Sequence, residues 1–163
     1  MGWHAIFHEQ KVNAETTKSE LILVGDSIIK GLLRYQDGWR TLSSFKPLNL
    51  GITGDKMQHV LWRCKQIKLP PSVRFVAVMC GVNNIGNDRP EDIAKCIIEI
   101  GLSLIKKNEK MKVLIFGILP RDKNRNSIRR FDIAECNAIL KNLCEARGEN
   151  IIFISHDQNE WLE

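Results

Sequence analysis

Leu21–Leu32 reads LILVGDSIIKGL. Four apolar residues lead directly into Gly25, Asp26 and Ser27, and a second apolar run follows. A short, β-branched-rich run stopped by a turn residue is what a buried strand looks like. Ile28, Ile29, Leu32 and Leu33 then recur at helical spacing, so the triplet is a strand-to-helix turn. Two readings of Ser27 are open at this point. Serine after such a turn is commonly a helix cap. It is also where a nucleophile can be held at the end of a strand.

The same pattern extends outward. Leu48–Leu50, Phe75–Met79, Val113–Phe116 and Ile151–Ile154 are further short apolar runs bounded by Gly, Asn or Pro. Between them lie helical patterns. Met57, Val60, Leu61, Cys64 and Ile67 share one face. A second helix opens at Asp88 and Pro90, carries Ile93, Ile97, Ile100 and Leu104, and stops at Lys106–Asn108. A third carries Ile133, Cys136, Leu140 and either Cys144 or Leu143 on one side and ends near Gly148. Strands alternating with helices predict an α/β three-layer sandwich, with helices on both faces of a parallel sheet. The expected order for five strands is the flavodoxin-like 2-1-3-4-5, in which the first three are neighbours. The segments that follow those three, GDS, GITGD and CGVNNIG, then converge at the edge where such sheets bind ligands.

The 163 residues suit a single domain spanning 1–163 with a real core. No apolar run is long enough to span a bilayer, and the first residues lack the apolar core of a secretory signal. Five cysteines, none in a C-x-x-C pair, predict free thiols, no metal site and a reducing, cytoplasmic address. A net charge of +5 allows an acidic partner without demanding one. The basic loop RDKNRNSIRR could meet phosphate but reads more simply as a solvated loop; without interleaved aromatics, nucleic acid is not the expected partner.

Ester hydrolysis needs a nucleophile, a base and donors for the oxyanion. Ser27 can supply the first. Gly51 and Gly54 can bring a backbone N–H close to a substrate, and Asn83 can add a neutral amide donor. Each has a plainer use as a turn residue. Their joint occurrence after three successive strands favours the chemical reading.

These blocks resemble the SGNH (GDSL-type) hydrolases: VGDSI the first block, LNLGITGDKMQHVLWR the second and VMCGVNNIG the third. With GILPRDKNRNSIRR, the likeness runs from about Leu21 to Ile154 and is strongest to the catalytic subunits of intracellular platelet-activating-factor acetylhydrolase. Similar domains occur in some retrotransposon-encoded proteins. The resemblance implies Ser27 as nucleophile and oxyanion donor through its own N–H, Gly54 as second donor, and Asn83 as third. Asp26 is expected to hold the turn. No metal or organic cofactor is implied. The implied partners are a small ester or lipid substrate and a second copy in a homodimer.

The family's fourth block, Asp-x-x-His, does not occur in the sequence. His156 and Asp157 are adjacent on an extended segment and so point opposite ways. His59 follows Gly54 on a helix, and His4 and His8 lie in an unplaced head segment with Trp3 and Phe7, which could dock on the sheet or serve a partner. The expectation is a C-terminally truncated esterase domain with nucleophile and oxyanion donors but weak turnover. The alternative is a non-catalytic binding or dimerisation module that keeps the fold.

Overall fold

The five apolar runs pair side by side, all in parallel, in the order β2-β1-β3-β4-β5. The strands are β1 (Leu21–Gly25), β2 (Leu48–Gly51), β3 (Phe75–Met79), β4 (Lys112–Phe116) and β5 (Ile151–Ile154). The structure is a computed structural model and describes residues 2–156. Ile22 stands opposite both Leu48 and Val76, and Val24 opposite Leu50 and Val78, so β1 is the centre of the predicted triplet.

Side chains alternate across the sheet. Ile22, Val24, Val76, Val78, Val113 and Ile115 enter one core with α4 (Met57–Gln66), α5 (Pro90–Ile105) and α6 (Ile128–Glu145). Leu21, Leu23 and Ala77 enter the opposite core, closed by Ile29 of α2 (Ser27–Gly31), Trp39 of α3 (Gln36–Thr41) and Leu42. β1 is buried along its whole length, as a strand covered on both faces must be. β4 instead alternates, with Val113 and Ile115 buried and Lys112, Leu114 and Phe116 half-buried.

The head segment forms α1 (Trp3–Thr16). Its aromatics dock on α4 rather than on the sheet. Trp3 stacks on Phe7 at 5.7 Å, and both rings pack against Trp62, at 5.8 and 5.0 Å. Among the described residues no helix is long and apolar enough to cross a membrane.

Candidate functional site

The turn after β1 assigns its polar residues separate tasks. Asp26, not Ser27, caps α2: its Oδ1 accepts the Ile28 N–H at 2.8 Å. Ser27 is the first residue of the helix, is exposed, and its hydroxyl makes no hydrogen bond to a described residue. It lines a cleft of about 420 Å³ together with Lys30, Gly31, Leu33, Arg34 and Thr53. Asp26 is fully buried, and its Oδ2 accepts no hydrogen bond from a described residue. Burial first, then the nearby Asp55 charge, pushes its carboxyl up to about 6 against the pull of the Ile28 bond.

The two glycines after β2 divide in the same way. Gly51 is a buried strand residue, and a Cβ there would lie 2.3 Å from the Lys30 nitrogen and 2.8 Å from the Asp26 carbonyl oxygen. Its missing side chain lets α2 rest on β2, so it is a packing glycine and does not approach a substrate. Asn49 fixes the same contact, donating to Ile29 O at 2.6 Å and accepting from Gly51 N at 2.9 Å. Gly54 adopts φ +82° in open space, a conformation that other L residues rarely adopt, and is exposed beside Thr53.

Asn83 donates from Nδ2 to the Asp55 carbonyl oxygen at 2.8 Å. A side-chain amide carries two N–H donors, so this bond orients the group and leaves the second free. The loop after β3 is thereby bonded to the residue next to Gly54. Asn84 does a different task. It is buried, accepts the Met57 N–H at 2.9 Å and donates to Asp88 and Gln58, seating the start of α4.

Beneath these loops lies an ion pair that the sequence reading did not single out. Arg63 is fully buried and grips Asp55 Oδ2 with Nε and Nη2, each at 2.8 Å. Its other contacts are Gly25 O at 3.0 Å, Leu50 O at 2.9 Å and Gln10 Oε1 at 3.2 Å. One guanidinium thus ties the ends of β1 and β2 to the Gly54–Asp55 loop. Trp3 Nε1 completes the Asp55 carboxylate at 2.7 Å, and Gln10 Nε2 reaches Gly51 O at 3.1 Å. The available signal was position: Arg63 lies three residues after Val60 and four before Ile67, on the stripe that the sequence otherwise makes apolar. An arginine there must be paired.

Among the described residues no histidine side chain hydrogen-bonds Ser27. His59 Nδ1 accepts the Lys56 N–H at 3.1 Å and stands 3.9 Å from Asp55 Oδ1, so that nitrogen is engaged at the start of α4. His4 and His8 are exposed on α1. His156 stacks on Phe116 at the end of β4, with ring centroids 5.9 Å apart. Burial lowers the His156 imidazole below its ordinary value, while a hydrogen bond with the Gly117 backbone opposes the shift. Asp157 lies outside the described residues. Among the described residues no three His, Cys, Asp or Glu side chains are grouped to hold a metal ion.

No protein-family model matches the chain. The alpha1 subunit of platelet-activating factor acetylhydrolase IB from Bos taurus is 31% identical over 129 residues, covering 78% of this chain and 55% of that protein. The alpha2 subunit from Gallus gallus is 36% identical over 124 residues, covering 75% and 53%. The chain thus spans about half the length of the curated relatives it matches. Among solved structures, a GDSL-like lipase from Bacteroides thetaiotaomicron superposes with a TM-score of 0.74 at 19% identity, covering 94% of this chain and 77% of its own. The chain is therefore a homologue of the platelet-activating factor acetylhydrolase IB alpha subunits, with the fold of the GDSL-type (SGNH) hydrolases.

Proposed function

We propose that this chain is a serine esterase domain acting on small acyl esters, acetyl esters foremost, through an acyl-enzyme. The observation that carries the reading is the 2.8 Å bond from Asn83 Nδ2 to Asp55 O, which holds an amide donor beside Gly54. Ser27 Oγ attacks the ester carbonyl, and the carbonyl oxygen becomes an oxyanion. The backbone N–H groups of Ser27 and Gly54 and the second N–H of Asn83 receive that charge. Collapse expels the alcohol and leaves an acyl-serine ester, which water hydrolyses. The names of the relatives support an acetyl group on a phospholipid-type alcohol as one substrate.

The Ser27 proton needs an acceptor, and a serine hydroxyl without a base is a weak nucleophile. The sequence has no Asp-x-x-His, and among the described residues no histidine hydrogen-bonds Ser27. Without such a base the chain is expected to turn over slowly. That same observation favours a second reading, a binding module that keeps the fold without the reaction.

Hydrolysis of p-nitrophenyl acetate separates the two. The 163-residue chain should run near the buffer rate. A chain extended by an Asp-x-x-His block from an SGNH hydrolase should be faster by at least ~100-fold, the low end of general-base catalysis. Ser27→Ala should abolish the gain. An extended chain no faster than the original would establish the binding module. Fast hydrolysis by the original chain, lost in His156→Ala but kept in His59→Ala, would place the base where the present reading does not.

A further inference from the structure

The loop after β4 and the first turn of α6 carry a surface that ester hydrolysis does not use. Ile128 is 76% exposed and Phe131 61% exposed, although both are large and apolar. They stand at i and i+3 of one helix, so they share a side. Beside them in the chain Arg121, Lys123, Arg125 and Arg129 are all exposed. The acidic groups of this surface are Asp122, paired with Arg129 at 3.8 Å, then Asp132 and Glu135 further along α6. Cations therefore outnumber carboxylates on the loop itself.

The surface adjoins the candidate site. Arg121 Nη1 donates to Val82 O at 3.3 Å, on the residue before Asn83. Arg129 Nε lies 3.5 Å from where a Cβ on Gly86 would stand. Both contacts join it to the loop after β3, at the sheet edge where Ser27 lies.

We propose that this surface docks on an anionic membrane, with Ile128 and Phe131 entering the acyl boundary and Arg121, Lys123, Arg125 and Arg129 meeting lipid phosphates. Exposed apolar side chains on a helix turn joined to a loop of exposed arginine and lysine are the pattern of interfacial binding. Charge argues against a second copy as occupant, because the same face of a +5 chain would meet its own cations. Ile128, the more exposed of the pair, has no π-face on which a base could stack, which favours hydrocarbon over single-stranded nucleic acid. The proposal concerns binding alone and does not depend on Ser27 being activated.

Co-sedimentation tests it directly, with phosphatidylserine-containing phosphatidylcholine vesicles, pure phosphatidylcholine vesicles and a single-stranded RNA. Wild type and Ser27→Ala should bind the anionic vesicles equally and the neutral vesicles far less. Ile128→Ser with Phe131→Ser should weaken vesicle binding by about tenfold or more, the transfer value of one large side chain. Lys123→Glu with Arg125→Glu should weaken it further, at about fivefold for each unit of charge changed near the surface. Far-UV circular dichroism and the unfolding midpoint should not move, since all four positions are exposed. No binding to anionic vesicles overturns the proposal. So does binding that the charge pair abolishes and the apolar pair leaves intact, or tighter binding to RNA than to vesicles.

Discussion

The carboxyl edge of the sheet has two halves built in different ways. After β2, β1 and β3 the loops are bound to one another through buried groups. Arg63 holds Asp55, Gly25 and Leu50, and Asn83 holds Asp55. After β4 the loop is exposed from Arg121 to Asn126, and its principal tie to a helix is Asn137, which accepts from Ile118 N at 2.8 Å and donates to Ile118 O at 3.0 Å. The contrast separates two duties. Donors aimed at a developing charge must be held in place before reaction, which a buried ion-paired frame can do. A surface that meets a partner needs exposed charge and apolar area, which a loose loop supplies.

The largest test of this contrast is Arg63→Ala. It leaves the Asp55 carboxylate buried without its partner, and breaking a buried pair this way costs about 3–5 kcal/mol. Chemical denaturation should show that loss, with Arg63→Lys recovering only part of it because an ammonium cannot reproduce the fork. A loss below about 1 kcal/mol would mean that the frame is not what holds the first half together.

The next effect is a pH dependence. Asp26 titrates near 6 in the folded chain and at 3.8 as an unperturbed group, so the folded state binds more protons between those values. Stability should therefore fall as pH rises from about 4 to about 6 and level off above, by an amount on the order of 3 kcal/mol. Subtracting the profile of Asp26→Asn, which keeps the Oδ1 acceptor for Ile28, should isolate that slope. A flat difference would show that Asp26 is solvated and that the turn is looser than described.

Trp3→Phe keeps the stacking on Phe7 and Trp62 but removes the 2.7 Å bond to Asp55. A hydrogen bond to a charged group contributes about 1.5–3 kcal/mol, and the loss should register at that size. Asn137→Ala, in the looser half, removes two neutral bonds to Ile118 and should cost about 1–2 kcal/mol. If Asn137→Ala cost more than Arg63→Ala, the assignment of rigid and loose halves would be reversed.

The elements of the sheet were legible because burial on both faces demands apolar runs, and turn glycines marked where they stop. All five runs are strands, and the three long periodic patterns are α4, α5 and α6. The strand order was expected as the common doubly wound arrangement of five strands rather than from any residue, and the sheet adopts it. Loop position and the family resemblance nominated Ser27, Gly54 and Asn83, and the structure bonds Asn83 to the residue beside Gly54. The support of these residues was not legible. Asp55, Arg63, Trp3 and Gln10 come from four places in the chain, and only folding puts them in contact. Arg63 was the one legible clue, a charge on an apolar stripe. Gly51 and Gly54 could not be told apart from the residues alone, because a glycine that makes room for a helix and a glycine that approaches a ligand look alike in sequence. α1 was left unplaced because its anchoring contacts are with α4 and Asp55, distant in sequence.

The most direct test of the central claim is covalent labelling with a fluorophosphonate, read by peptide mass spectrometry on the chain extended by an Asp-x-x-His block. The account predicts an adduct on the peptide containing Ser27, none in Ser27→Ala, and labelling slowed by about 100-fold or more in Asn83→Ala, as loss of one oxyanion donor entails. Labelling on another residue, or an Asn83→Ala variant that labels as fast as its parent, would contradict it.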